Sequence, residues 1–467
     1  MSRFNAKQVV LVVAAAIVSS GAQSLPVRTT DANTVQQFFG TRNVKLAFAL
    51  SMKGIYYIDF SETAPAPHLL PQSVGGMLPV ISPDGQWVTY QKGVNGDYAP
   101  DSITKASAWV QQLNETSTPI KVTDTGFVPR FVQNAPTQPT VIYATASYSP
   151  MITDSYTFRG HGKMIKAVYS GGAWERTTVW AGGSYLGGLS YDNRYFAHAE
   201  QRRNAWMFDL DNCALGPARL HAFSTTSGQA CNSSVSSSRI FTNAMMYFDF
   251  GGNFAPLGGI WGVHERLFIS RNDGSVLRYF AVPADIPVDA NGPGNGEVTS
   301  VEWNYPEWSN YPYFAAATTQ LERYWASGSA YLANEIVYGL DLRQSARNTR
   351  LVASTDTVAG SVSFRNPWVW VEVPAGFSED PSWLLTPAWT ATTPVEHPYP
   401  APCLSDTITP SAAPSATPTP AATPTPSPVD DHNGCGKGFG LAFIPPVGFR
   451  IAGFWRKGKK TKKNSLH

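Results

Sequence analysis

The feature that most limits what this chain can fold into is a Ser-Pro-Asp-Gly turn set between two strand-like runs, ISPDGQWVTY at residues 81–90. Pro83 presets its own φ, Asp84 can bond the backbone that follows it, and Gly85 accepts a positive φ. The run after the turn, QWVTY, is rich in β-branched and aromatic side chains, which fit a pleated, half-buried surface. A unit of the same kind returns at residues 189–200, LSYDNRYFAHAE. There Tyr191-Asp192-Asn193-Arg194 takes the turn and Tyr195-Phe196-Ala197-His198-Ala199 the strand after it. Such a recurrence points to a closed array of small sheets.

The Ser-Pro-Asp-Gly turn followed by a strand resembles the repeat of TolB-type β-propellers, in which it joins the inner strands of a blade. Residues 81–90 carry the match; the later unit has Tyr-Asp-Asn where the motif has Ser-Pro-Asp-Gly. Composition agrees with an all-β class. Only 15% of residues are charged, while Gly, Pro, Trp and Tyr are plentiful, which suits turn-rich sheets better than long amphipathic helices.

Strand-like segments group into about five units of roughly 45 to 60 residues, the range in which repetition suggests a propeller. Two remainders, residues 44–60 and 361–373, are each too short for a whole unit. Joining them would close the ring, with the N-terminal strands completing the last blade and leaving no free edge. The expectation is a six-bladed β-propeller over residues 42–373, with five or seven blades, or a pair of β-sandwiches, as the alternatives.

Arg3 and Lys7 precede a short apolar run, residues 9–18, and the small residues Ser20-Gly21-Ala22, so residues 1–22 read as a secretory signal peptide. The formal charge of +2 hides an asymmetry. Setting aside the signal peptide and the basic end from Lys437 leaves 25 basic against 33 acidic residues, a balance of −8. That argues against nucleic acid as a partner, since such binding needs Lys and Arg to neutralise phosphates.

Residues 302–314, EWNYPEWSNYPYF, are the densest aromatic stretch. Their interspersed Pro and Asn suggest a loop, where function gathers. Trp303, Trp308 and Tyr311 would offer flat faces to sugar rings or a peptide, and Glu307 and Asn310 would give direction. The competing reading is that these rings pack between blades. Cys213 and Cys231 share a Gly/Ser-rich insertion and are expected to form a disulfide worth about 3 kcal/mol; no partner is assigned to Cys403. Residues 289–297, DANGPGNGE, alternate oxygen ligands but depart from EF-hand spacing and read as a turn. His198 with Glu200, and His264 beside Glu265, are weak acid/base candidates. No motif calls for a metal, a cofactor or a catalytic residue.

Residues 374–406 are an extension, and 407–433 a Pro/Thr-rich linker whose repeated Pro favours an extended stalk. Residues 434–440, GCGKGFG, precede an apolar stretch and a basic end with Arg456, Lys457, Lys459, Lys460, Lys462 and Lys463. This arrangement resembles bacterial C-terminal sorting tails of the CTERM type with a GC-x-x-GFG motif. The resemblance implies processing and surface attachment at Cys435 or a nearby Gly within residues 434–467, by envelope sorting machinery. A basic tail resting on anionic lipid is the alternative. The expected activity is binding of a polysaccharide or protein at the cell surface or in the periplasm. The rival is a propeller glycoside hydrolase or lyase with paired carboxylates in the central channel.

Overall fold

The computed structural model describes residues 25–397, apart from 51–52, 94–105, 135–138, 146–163, 181–185, 200–204, 213–217, 221–229, 250, 291–293, 327–329 and 356–361. The signal peptide, the stalk, Cys213, Cys403, Cys435 and the side chain of Cys231 therefore lie outside the described residues, and so does the expected disulfide. Six sheets of four or five strands form the blades of a propeller.

Blade 1 is built from both ends of the domain. Phe364–Val371 is its innermost strand, followed outward by Val44–Leu50, Gly54–Asp59 and His68–Leu69. The joint runs from Val44 opposite Val371 to Leu50 opposite Phe364. The second strand reads VKLAFAL, almost wholly apolar, because both of its faces are buried. Val44, Leu46, Phe48 and Leu50 join one core, and Ala47 and Ala49 join its neighbour on the other side. The ring closes where the two short sequence remainders meet, as their lengths predict.

Blade 2 comprises Gly76–Ile81, Trp87–Gly93, Ala106–Gln112 and Ile120–Thr123, and blade 3 Phe127–Phe131, Thr140–Ala144, Met164–Ser170 and Ala173–Trp180. Blade 4 comprises Leu186–Leu189, Tyr195–Ala199, Ala205–Asp209 and Ala218–Leu220. Blade 5 holds Ala230–Val235, Ala244–Asp249, Arg266–Arg271 and Val276–Ala281, with a small hairpin, Gly252–Phe254 and Gly259–Trp261, inserted between its second and third strands. Blade 6 holds Glu297–Trp308, Phe314–Tyr324, Ala330–Asp341 and Asn348–Ser354, with Val27–Thr29 added at its outer edge. The first strands of successive blades touch around the whole ring, which makes them the inner wall.

A backbone irregularity repeats on that wall. Every innermost strand slips register against its neighbour at a corresponding place, and that of blade 6 slips a second time between Val298 and Ser300. At the corresponding slip in each blade one residue has a positive φ: Leu78, Val128, Gly188, Asn232, Tyr305 and Asn366. Pro follows at positions 79, 129, 306 and 367. A bulge frees one backbone N–H from the ladder, so a residue without an N–H costs nothing there, and the local bend sharpens the twist a blade needs.

The Ser-Pro-Asp-Gly turn lies at the seam between blades 1 and 2. Ser82 Oγ bonds the Asp84 carboxylate and accepts from Trp87 N at 2.9 Å, while Gly85 takes φ 72°. Trp370 of blade 1 donates from Nε1 to Pro83 O at 2.9 Å, and its ring fills the space where a side chain at position 85 would sit. The degenerate unit in blade 4 repeats this wiring. Ser190 Oγ bonds Asp192 at 2.5 Å and accepts from Tyr195 N at 2.8 Å, with Asn193 at φ 61° in the glycine's place.

Residues 374–397 form a strap. Glu379 accepts from Ser238 Oγ (2.6 Å), Arg239 N (2.9 Å) and Trp383 Nε1 (2.9 Å). Trp383 packs edge-on against Tyr313 and Phe241. Further on, Trp389 pairs with Val276 on the outer strand of blade 5, and Glu396 with Arg219 on that of blade 4.

Candidate functional site

Among the places where described arginine, carboxylate and aromatic side chains meet, two adjoin a cavity. The first is the axis. Arg130 and Glu307 occupy corresponding positions just past the bulges of blades 3 and 6, which face each other across the ring. Arg130 Nη1 and Nη2 donate to the two Glu307 oxygens, each at 2.6 Å. The guanidinium also lies 5.7 Å from the centre of the Trp368 ring of blade 1. Both partners are nearly sealed, at 5% and 6% exposure. The cavity beside them is only about 10 Å³, the size of one water molecule. No carboxylate is among the described residues that line it; Glu307 adjoins it through Arg130.

The second place is a cleft of about 360 Å³ at the seam between blades 6 and 1. One wall is the helix Ala32–Phe39. Asp31 caps its N-terminus by accepting from Asn33 N and Thr34 N, and Gly40 ends it in the left-handed conformation at φ 84°. Its apolar side sets Phe39 4.8 Å from the Phe314 ring. Blade 6 carries Gly339 under this contact, since a Cβ there would lie 2.9 Å from Phe39 Cζ.

The floor is a turn whose fully buried carboxylate, Asp341, collects two arginines. Arg343 donates from Nε (2.8 Å) and Nη2 (2.9 Å), and Arg347 from Nη1 at 2.6 Å. Arg343 also lies over Tyr313 at 4.7 Å, and Arg347 over Phe38 at 5.1 Å. Arg347 Nη2 reaches Phe38 O at 3.2 Å, so a cation sits at the negative end of the helix. Asp341 beside it holds the Arg343 guanidinium above its usual range. Each arginine side chain stays about one-third exposed (35%) while Asp341 is closed off. Tyr311, Gln37, Thr41, Glu372 and Pro374 complete the lining. Burial pushes the Tyr311 phenol up.

The residues singled out in the sequence are thus dispersed. The stretch expected as a loop is strand as far as Trp308, because the bulge between Asn304 and Glu307 accommodates Pro306 without breaking the ladder. Trp303 and Trp308 are buried, and their indole N–H groups are spent on Phe280 O (3.2 Å) and Pro312 O (2.9 Å). Glu307 is held at the axis. Asn310 acts like a strand partner across the seam, donating to Val371 O (2.8 Å) and accepting from Val371 N (2.9 Å). Tyr311 alone of these residues lines the cleft.

Burial drives the pKa of His264 down to about 3, so its ring is neutral and poorly suited to proton transfer near pH 7. The side chain of His198, and Glu200, lie outside the described residues. Asp289 and Glu297 share a hydrogen bond that raises the Glu297 pKa. Among the described residues no group of three or more His, Cys, Asp or Glu is placed to hold a metal ion. No helix among them is long and apolar enough to cross a membrane.

The fold and these two places define a six-bladed β-propeller with a filled axis and a lateral cleft. No protein-family model matches the chain, and no curated protein does. Its structural neighbours include a putative TolB from Agrobacterium tumefaciens, 12% identical, with a TM-score of 0.33 over 68% of this chain and 93% of that one. The nidogen/laminin complex aligns at 10% identity and TM-score 0.37 over 70% and 98%. The β-propeller domain of Cps50 (Swd1) from Myceliophteria thermophila aligns at 10% identity and TM-score 0.34 over 66% and 94%. At this level the likeness is one of architecture and assigns no site.

Proposed function

We propose that this protein is an exported, envelope-attached β-propeller that binds a polysaccharide or protein ligand, and that the ligand sits in the cleft at the blade 6–blade 1 seam. The observation that carries the proposal is the pair of part-exposed arginines set over a buried Asp341 beside Tyr311. A concave recess with a few converging polar groups and aromatic walls is the usual form of a binding site. The axis favours binding over glycoside cleavage, because the carboxylate found there is tied up by Arg130. Export and attachment draw their support from the sequence: the apolar N-terminal run, the Pro/Thr stalk and the Gly-Cys motif at Cys435.

A glycan and peptide array probed with the full chain and with Tyr311→Leu tests the site. Binding that persists unchanged in the variant would move the ligand elsewhere. Attachment is tested by cell fractionation of Cys435→Ser. Release into the medium is expected, and full surface retention would contradict attachment through the cysteine.

A further inference from the structure

We infer that the seam cleft takes a carboxylate-bearing saccharide, a uronic-acid chain, an inference that rests on the cleft being the ligand site proposed above. Asp341 neutralises only part of the guanidinium surface. It accepts from Nε and Nη2 of Arg343 and from Nη1 of Arg347, and the helix carbonyls take Nη2 of Arg347. Among the described residues Nη1 of Arg343 and Nε of Arg347 have no acceptor. Asp341 is fully covered while the arginines are one-third exposed, so the lining presents two cationic groups and one anionic one, Glu372, although with Asp341 the formal charge sums to zero. Arginine donors of this kind match a carboxylate in strength and geometry.

The saccharide part follows from the rest of the lining. Three rings surround Tyr311, at 41°, 70° and 86° to it, and none lies flat against it. Gln37 supplies an amide that can bond hydroxyls, while the Thr41 hydroxyl accepts from Asn43 N at 3.1 Å and donates to Glu372 at 3.4 Å. A recess of about 360 Å³ suits a few sugar rings, whereas a stable protein partner needs roughly 800 Å² of surface on each side. The one carboxylate in the lining, Glu372, accepts from Asn43 Nδ2 at 2.6 Å and opposes an anionic ligand.

The test is calorimetric titration of the full chain with a short polygalacturonate oligosaccharide and with its methyl ester, which keeps the rings and removes the charge. The acid is expected to bind about tenfold more tightly than the ester, and Arg347→Gln to weaken it by a similar factor. Glu372→Gln is expected to tighten binding about two- to fivefold, a gain that misfolding cannot produce. Equal affinity for acid and ester, or no gain in Glu372→Gln, would overturn the inference, as would a polyglutamate peptide binding as tightly as the uronate. If acid and ester bind equally and both are lost in Tyr311→Leu, the anionic preference fails while the cleft remains the site. If neither binds, or Tyr311→Leu changes nothing, the inference and the proposed site fall together.

Discussion

The axis and the seam cleft use the same side chains to opposite ends. At the axis one arginine meets one carboxylate with both ends matched, over an indole. At the seam two arginines share one carboxylate over phenyl and phenol rings, and both stay about one-third exposed in the lining of the cleft. Stoichiometry and exposure decide the outcome. A matched pair at 5% and 6% exposure can only hold blades together, whereas a surplus of cation at the surface can hold something else.

The sharpest way to break the comparison is at the axis. Removing one partner of a buried pair strands a charge, so Glu307→Ala should destabilise the domain by about 3–5 kcal/mol in urea unfolding. The double variant Arg130→Met with Glu307→Leu should regain most of that loss, because apolar residues of similar volume carry no desolvation penalty. A Glu307→Ala protein as stable as the parent would show that the pair bolts nothing.

The next effect is at the other end of blade 1. Gly85 holds φ 72°, and a Cβ at this position would lie 2.6 Å from the Trp370 ring, so Gly85→Ala should cost roughly 1–3 kcal/mol in the same assay. At the seam Arg347→Gln should cost only about 1 kcal/mol of stability, the scale of one helix-end charge and its hydrogen bonds, while ligand binding weakens about tenfold.

The smallest effect belongs to a third charged cluster, at the outer edge between blades 1 and 2. His68 lies between Glu115 (2.8 Å) and Glu62 (3.1 Å), over Tyr57. Burial pulls its pKa down, but the hydrogen bonds and charges of the two glutamates outweigh this, and the net shift is upward. The same two carboxylates, with Asp59, add to the burial that raises the Tyr57 phenol to about 12. A raised folded-state pKa means that the contribution is full below the unfolded value, about 6.5, and is lost as pH rises through the folded one. The stability gap between the parent and His68→Gln should therefore shrink as pH rises above about 6.5, by less than about 1 kcal/mol for so solvent-screened a group. A gap that widens with pH would contradict the assignment.

Much of the fold was legible because it is written in local chemistry. The turn at residues 82–85 announces itself, and the incomplete remainders at either end imply the closure of blade 1 by arithmetic of strand number. The repeated bulge was harder. Pro marks it at positions 79, 129, 306 and 367, but Gly188 and Asn232 reach a positive φ without one, so the pattern lives in the backbone more than in the residues. The aromatic stretch at residues 302–314 misled for a related reason: Pro306 and Asn304 look like loop residues and sit at a bulge within a strand. The cleft was the least legible part. Asp341, Arg343 and Arg347 read as an ordinary charged turn, and the helix they serve lies 309 positions before Arg347. The one available signal was a lone carboxylate followed by two arginines in a chain poor in charge.

The most direct measurement of the contrast pairs one variant from each place, Glu307→Gln and Glu372→Gln, and reads both the urea midpoint and the affinity for polygalacturonate. The account predicts a crossed result: Glu307→Gln lowers the midpoint and leaves the affinity of the folded protein alone, while Glu372→Gln tightens binding and leaves the midpoint alone. A Glu307→Gln protein that keeps its midpoint but loses its ligand would contradict it, and would return the site to the axis.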